Sequence, residues 1–381
     1  MKKAIIFTGF FFLIISIGLN AQDNSTTIDF NSFIEIVKNN HPVAKQADLQ
    51  LEKGDAELRK SRGGFDPKIS ISASEKDFDS KDYYEMVDGG LKIPTWYGLE
   101  FKGGYEQNRG VFLNPENNTP GAGLVYAGLS VPIGQGLIID ERRAQLRKAQ
   151  IYQESTDQIR RSIYNQIILD ASKSYWDWYQ TFRVLGIFRN ALTVAEQRLT
   201  AVKRSAELGD IPSIDTLEAG IQVQNRRLAL RQSELDYANA SALLSIYLWT
   251  EDAIPLELGD STVPDTLQQI LYAPARLYDV NLTDSLIDNH PDLLQYTYKI
   301  ESLNIDRRWK AEQLRPKLNL NYNFLNEATN QEAISGFTPN NYKWGLEFNL
   351  PVLLRKERGA LLKTKINILE TDFDRDLKRA E

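Results

Sequence analysis

Polar and apolar residues alternate strictly in two stretches of this chain, each starting just after a proline. After Pro67 come Ile69, Ile71 and Ala73 with Ser70, Ser72 and Ser74 between them; after Pro316 come Leu318, Leu320, Tyr322 and Phe324 interleaved with Asn319, Asn321 and Asn323. A period of two puts each set on its own face of a β-strand. A second alternating run closes each region at a proline: Val125, Ala127, Leu129 and Val131 before Pro132, and Tyr342, Trp344, Leu346, Phe348 and Leu350 before Pro351. From Leu137 to Leu208 the period changes. This segment has no proline and one glycine, Gly186, and its apolar residues recur at Ala171, Tyr175, Trp178, Phe182, Leu185, Leu192, Ala195, Leu199, Val202 and Ala206. The step of about 3.5 predicts a coiled-coil helix on the order of 108 Å long. A helix of that length needs partners, and the helical patterns over Ser213 to Trp249 and Thr27 to Arg62 supply about 55 and 54 Å.

The pattern occurs twice. The two histidines lie in matching tripeptides, Asn40-His41-Pro42 and Asn289-His290-Pro291, 249 positions apart, and the same offset carries Pro67-Lys68 onto Pro316-Lys317. The sequence therefore predicts an internal two-fold repeat. Residues 22–280 form the first copy: a helix, strands within 67–132, a long helical hairpin over 137–249 and a linker over 250–280. Residues 281–381 form the second. Pro67 and Pro132 are 65 positions apart, Pro316 and Pro351 only 35. The extra residues carry one more alternating run, Tyr97, Leu99, Phe101, Gly103 and Tyr105, with a weaker partner over Tyr84 to Ile93 and a Gly/Asn/Pro-rich loop from Asn108 to Gly123. Four strands are expected in the first half and two in the second.

Composition narrows the function. The 381 residues include no cysteine, which excludes thiol catalysis, disulfides, cysteine-ligated metals and a cysteine-linked lipid anchor. Two histidines cannot build a multi-histidine metal centre. Lys2 and Lys3 precede the apolar run Ala4 to Leu19, which is too short to span a bilayer, so residues 1–21 read as a secretory signal peptide. Removing them takes the net charge from −6 to −8, against nucleic-acid binding. Mean hydropathy is −0.39. That value resembles a soluble protein, yet a membrane β-barrel alternates residue types and leaves no hydropathy peak.

Candidate chemistry is sparse. His41 and His290 sit between Asn and Pro at helix breaks, where capping and turn chemistry explain them. Tyr175, Trp176, Trp178 and Tyr179 fit packing between helices, and Asp77, Asp79, Asp82 and Asp88 a solvated loop. No phosphate-cradling loop or nucleophile elbow occurs. No enzyme activity, cofactor or metal is expected. The apolar face of the second strand pair ends in Tyr322, Phe324, Tyr342 and Trp344, as a membrane-interface girdle does, while its other face is Asn, Lys and Glu, suited to a watery lumen.

Two repeats of helix, strand pair and long helix behind a signal peptide resemble the outer-membrane efflux proteins, the TolC-like family. The carrying residues are Val131-Pro132-Ile133 followed by Arg142, Leu146 and Ala149, and Leu350-Pro351-Val352 followed by Arg358 and Leu362. The helical tip Gly209-Asp210-Ile211-Pro212-Ser213, followed by Asp215, Leu217 and Ala219, completes the set. The resemblance implies a mainly α protein with membrane β-structure. Three protomers would pool strands into an outer-membrane β-barrel and long coiled-coil helices into a periplasmic α-barrel. It further implies passive export, with a periplasmic adaptor protein docked at Gly209 to Ser213 and an inner-membrane pump supplying the energy. In that family a second helical hairpin lines the periplasmic entrance. Here the sequence stops at Glu381, about 30 residues past Pro351, so no gate residue is carried over; a fragment or an interrupted reading frame is expected. The rival reading is a secreted, soluble spacer of long helices with a small β cap.

Overall fold

The computed structural model describes residues 27–259, 261–265, 286–328 and 336–381. The expected signal peptide, 1–21, and much of the expected linker, 250–280, lie outside the described residues. In chain order the elements are β1 (Thr27–Ile28), α1 (Phe30–Asn40), α2 (Pro42–Arg62), β2 (Lys68–Phe78), β3 (Lys81–Pro94), β4 (Glu100–Arg109) and β5 (Leu124–Pro132). They continue with α3 (Glu141–Glu207), α4 (Ile214–Ser245), β6 (Val263–Pro264), α5 (Pro291–Glu312), β7 (Lys317–Glu327), β8 (Tyr342–Asn349) and α6 (Arg355–Ala380). The chain divides into two compact units, one from Pro42 back and Ile168–Tyr272, the other from Val43–Ile167 and Ala273–Glu381. Helix α3, 67 residues and about 100 Å long, contributes to both.

In the first unit Asp29 caps α1, its Oδ1 accepting from the backbone of Asn31 at 2.9 Å and Ser32 at 3.0 Å. These charge-assisted bonds favour the carboxylate, led by the Ser32 hydroxyl, and lower the Asp29 pKa. The helix ends at His41, held in an extended conformation as the residue before Pro42 must be. The predicted helical stretch Thr27 to Arg62 is thus a short strand and two helices. Phe33 and Val37 of α1, Tyr175 and Trp178 of α3 and Leu244 of α4 are among the most buried side chains, and the Phe33 and Tyr175 rings lie 5.5 Å apart. The two aromatic residues bring polar atoms inside and both are satisfied: the Tyr175 hydroxyl donates to Ile28 O at 3.0 Å and Trp178 Nε1 to Ser241 Oγ at 3.1 Å. The sequence expectation of helix-packing aromatics holds for this pair.

In the second unit α2 and the first third of α3 approach closely at Gly54, where an added Cβ would lie 2.8 Å from Thr156 Cγ2. Leu58, Phe65, Leu146 and Ala149 form a buried cluster beside this contact. Helix α5 is tied to α3 by Lys148, whose Nζ reaches Asp306 at 2.9 Å, and by the Ser162 hydroxyl, which donates to Asp292. The long helix starts later than its periodicity implies, because residues 137–140 are spent on the turn out of β5. There Ile133 N–H donates to Leu318 O at 2.7 Å, and Asp140 Oδ1 accepts from Arg143 N at 2.8 Å.

Six strands form one sheet in the order β2-β3-β4-β5-β7-β8, every neighbouring pair antiparallel, while β1 and β6 pair in parallel as a separate two-stranded sheet. The expected four strands before the long helix and two after it are present. Asp79 and Ser80 both have positive φ, 56° and 57°, and make the two-residue turn from β2 to β3. The four aspartates read as a loop are split: Asp79 is in this turn, while Asp77, Asp82 and Asp88 are strand residues.

Burial pushes the Tyr175 pKa up to about 12. A raised folded-state value favours the protonated phenol, so its stabilising contribution is complete below pH ~10 and is lost as pH rises through ~12. The Tyr175→Phe variant is expected to lose about 1 kcal/mol in urea unfolding at pH 7. It should also show a shallower fall in stability between pH 10 and 12 than the parent.

Candidate functional site

The sheet presents two chemically different faces. Strand register aligns Ile71, Gly89, Tyr105 and Val125 across β2 to β5, and Leu129, Tyr322 and Trp344 across β5, β7 and β8. On this face Ile69 and Ile71 are each 78% exposed and Trp344 is 61% exposed; Phe101, Leu346 and Phe348 are exposed as well. The opposite face carries Ser72, Asp88, Glu106, Asn321 and Lys343 and similar residues, with Lys102 Nζ donating to Asn321 Oδ1 at 3.0 Å. An exposed apolar face this extensive is unfavourable in water and favourable against hydrocarbon.

The four aromatic residues singled out as anchors are brought together. Tyr322 lies opposite Trp344 and Phe324 opposite Tyr342 in the β7–β8 register. Tyr322 stacks on Tyr342 with ring centroids 5.8 Å apart and meets Phe324 edge-on at 4.9 Å. A further aromatic group, absent from the sequence reading of anchors, lies at the turn between β3 and β4: Trp96 stacks on Phe65 at 4.5 Å, with Tyr97 and Phe101 exposed nearby in sequence. Its signal was present in Thr95-Trp96-Tyr97 just before an alternating run.

The tip residues form the turn between α3 and α4. Gly209 has φ +83°; its N–H donates to Ala206 O at 3.1 Å and that of Asp210 to Ser205 O at 2.9 Å, a Schellman arrangement that satisfies the last carbonyls of α3. Pro212 O accepts from Asp215 N at 3.1 Å. Gly209, Asp210, Pro212 and Ser213 are exposed and Ile211 is half-buried. The Ser213 side chain makes no capping bond, so it is left to solvent or a partner. Large exposed apolar residues repeat at seven-residue intervals on both helices: Ile187 and Val194 of α3 with Leu208, two intervals on, just past its end, and Ile214, Ile221, Leu228 and Leu235 of α4. This second heptad row was hidden in the sequence behind the stronger stripe that joins α3 to α4.

The remaining candidates resolve as structural. The imidazole of His41 stacks on Tyr247 at 5.9 Å, and burial lowers its pKa. His290 Nδ1 accepts from Asp292 N at 3.3 Å, capping α5. Among the described residues no group of His, Asp and Glu is arranged to hold a metal ion, and no helix is long and apolar enough to cross a membrane.

The fold as a whole is also found in solved structures. The chain superposes on the outer membrane protein VceC of Vibrio cholerae with a TM-score of 0.59 at 13% identity, covering 92% of this chain and 75% of that one. It superposes on the Campylobacter jejuni CmeC outer membrane channel with a TM-score of 0.55 at 16% identity, covering 91% and 67%. That is the fold of outer-membrane channels. No protein-family model matches the chain. In sequence, 211 residues are 22% identical to a probable outer membrane lipoprotein, SilC, of Salmonella typhimurium; the match spans 55% of this chain and 44% of that relative's length.

The two faces of the sheet predict opposite behaviour for neighbouring residues on β8 when the protein is folded in lipid. Leu346→Arg, on the apolar face, is expected to destabilise the lipid-folded protein by about 2–4 kcal/mol. Glu347→Arg, on the polar face, gives up only an exposed pair with Lys317 at 4.0 Å and should change stability by less than about 1 kcal/mol. Urea titration of the lipid-folded protein compares the two.

Proposed function

We propose that this chain is a subunit of an outer-membrane exit duct of the TolC-like type, which passively conducts substrates delivered by an inner-membrane pump. The observation that carries the proposal is the six-stranded sheet, with an exposed apolar face, a polar face and a free strand at each end. Backbone groups of a free edge cannot be left unpaired in hydrocarbon, so such a sheet needs other subunits to close it. The family resemblance supports a homotrimer. In this reading residues 22–280 and 281–381 are two copies of one repeat. Strands meet outer-membrane lipid, with Tyr322, Phe324, Tyr342 and Trp344 as interface anchors. The long helices extend into the periplasm, and the exposed heptad rows on α3 and α4 pack against neighbouring subunits.

The exposed turn Gly209 to Ser213 is the proposed docking site for the periplasmic adaptor. Its backbone bonds are internally satisfied, which leaves the Asp210 and Ser213 side chains free to contact a partner without unravelling the helix ends. No catalytic step, cofactor or metal enters this function, because a duct supplies a polar path and the pump supplies energy. The VceC, CmeC and SilC similarities support this assignment at the level of fold and location.

Fractionation of cells expressing the full-length protein tests the reading. It predicts outer-membrane recovery and a detergent-extracted trimer by light scattering. A soluble periplasmic monomer would sink it and favour the helical spacer. Asp210→Lys is expected to leave the trimer intact while reducing co-purification of the adaptor at least several-fold; unchanged recovery would remove the docking role from the tip.

A further inference from the structure

The sheet contains one hairpin more than its own repeat accounts for. Strands β2 (Lys68–Phe78) and β7 (Lys317–Glu327) each have 11 residues and start on a lysine after a proline, 249 positions apart. β5 runs up to Pro132 and β8 to the residue before the matching Leu350-Pro351. In the second half these two strands are direct neighbours. In the first half β3 and β4 stand between them.

The inserted hairpin is built as wall, not as a plug or an external loop. Its outward residues Val87, Leu91, Ile93, Phe101 and Tyr105 continue the apolar face in register from Ile69, Ile71 and Ala73 of β2 to Val125, Ala127 and Leu129 of β5. On the polar face Gly90 and Gly104 are directly opposite each other, and Tyr126 of β5 lies flat over both. A Cβ at Gly90 would come within 2.7 Å of the Tyr126 hydroxyl, and one at Gly104 within 2.6 Å of its ring. The aromatic side chain therefore clamps β5 across β4 onto β3, a use of a large ring to cover glycines that leaves no room for a substitute.

The geometry points to a wall of six strands per copy whose partner is a second copy of this chain, with β8 of one protomer pairing with β2 of the next. This deepens the duct proposal and rests on it. Every neighbouring pair is antiparallel, so in a six-stranded sheet the first and last strands run in opposite directions, as a β8–β2 seam requires. The seam's register is given by β5 and β7, the junction between the two halves, where Leu129 faces Tyr322 and Ser130 faces Asn321. Transposed by the repeat, Phe348 falls opposite Ala73 and Asn349 opposite Ser72. Parity is preserved: Phe348, Ala73, Leu350 and Ile71 all point to the apolar face, and Asn349, Ser72, Glu347 and Ser74 to the polar one. A slip of one residue would turn one strand's apolar set into the lumen. Three copies give 18 strands and a backbone diameter of about 36 Å, against about 24 Å for the 12 that the bare repeat would supply. The lumen's cross-section is roughly doubled.

Because the chain has no cysteine, paired substitutions report the wall directly. Oxidation of Ser72→Cys with Asn349→Cys is expected to link copies into a ladder ending at a covalent trimer, and neither single variant should do so. Ser74→Cys with Glu347→Cys, farther along the same seam, provides a second chance should the first pair fail to fold. Ser74→Cys with Leu124→Cys is expected not to link, since two strands separate these positions; in a four-stranded wall they would be opposite each other and close an intramolecular bond. Light scattering of each variant before oxidation separates the two levels of failure. A trimer that links Ser74→Cys to Leu124→Cys, or that links neither seam pair, overturns the six-strand wall and leaves the duct standing. A monomer overturns both.

Discussion

A peptide group inside hydrocarbon has no water to bond, and that constraint orders everything else in this protein. It allows only helices or closed sheets to cross a membrane. No described helix is apolar enough to do so, whereas the sheet has an apolar face fit for lipid and two strands, β2 and β8, with one neighbour each. In the proposed reading the alternation of residue types and the open edges have one cause: the first matches each face to its own medium, and the second calls for further copies. In the proposed duct both needs are met by repetition of the same chain around an axis.

The helical parts follow a different logic. Their backbone is satisfied internally, so association rests on side chains. Within the chain the Tyr175 and Trp178 cluster does this work by burying large rings whose polar atoms find Ile28 O and Ser241 Oγ. Toward the tip that stripe thins to half-buried Leu192, Leu199 and Val202, while the opposite rows of Ile221, Leu228 and Leu235 stay exposed. A helix with an occupied seam and a vacant one is suited to a wall with a subunit on each side.

Much of this was legible in the sequence because period two and period 3.5 are side-chain signals that survive without an alignment. Strands β2, β5, β7 and β8, the α3–α4 turn at Gly209 and the aromatic set at Tyr322 and Trp344 all read directly. Strand β3 was faint because Gly89 and Gly90 erase the alternation where it would be clearest, and the Tyr126 packing explains why glycine stands at positions 90 and 104. The start of α3 was read early, since the apolar Leu137 and Ile138 belong to a turn fixed by Asp140 and Arg143. The break at His41 was visible only through the following proline. The exposed heptad rows were missed because a coiled-coil pattern with one partner is satisfied by a single stripe, and the second emerges only when burial is known.

The central claim is that the two faces of this sheet meet two different media. Nitroxide labels at single cysteines along Tyr342 to Asn349, with the protein folded in bilayers, test it most directly through accessibility to oxygen and to a water-soluble nickel chelate. The account predicts a two-residue alternation, with positions 342, 344, 346 and 348 open to oxygen and positions 343, 345, 347 and 349 open to the chelate. Labels of both parities equally open to the chelate would place the whole strand in water and contradict the account.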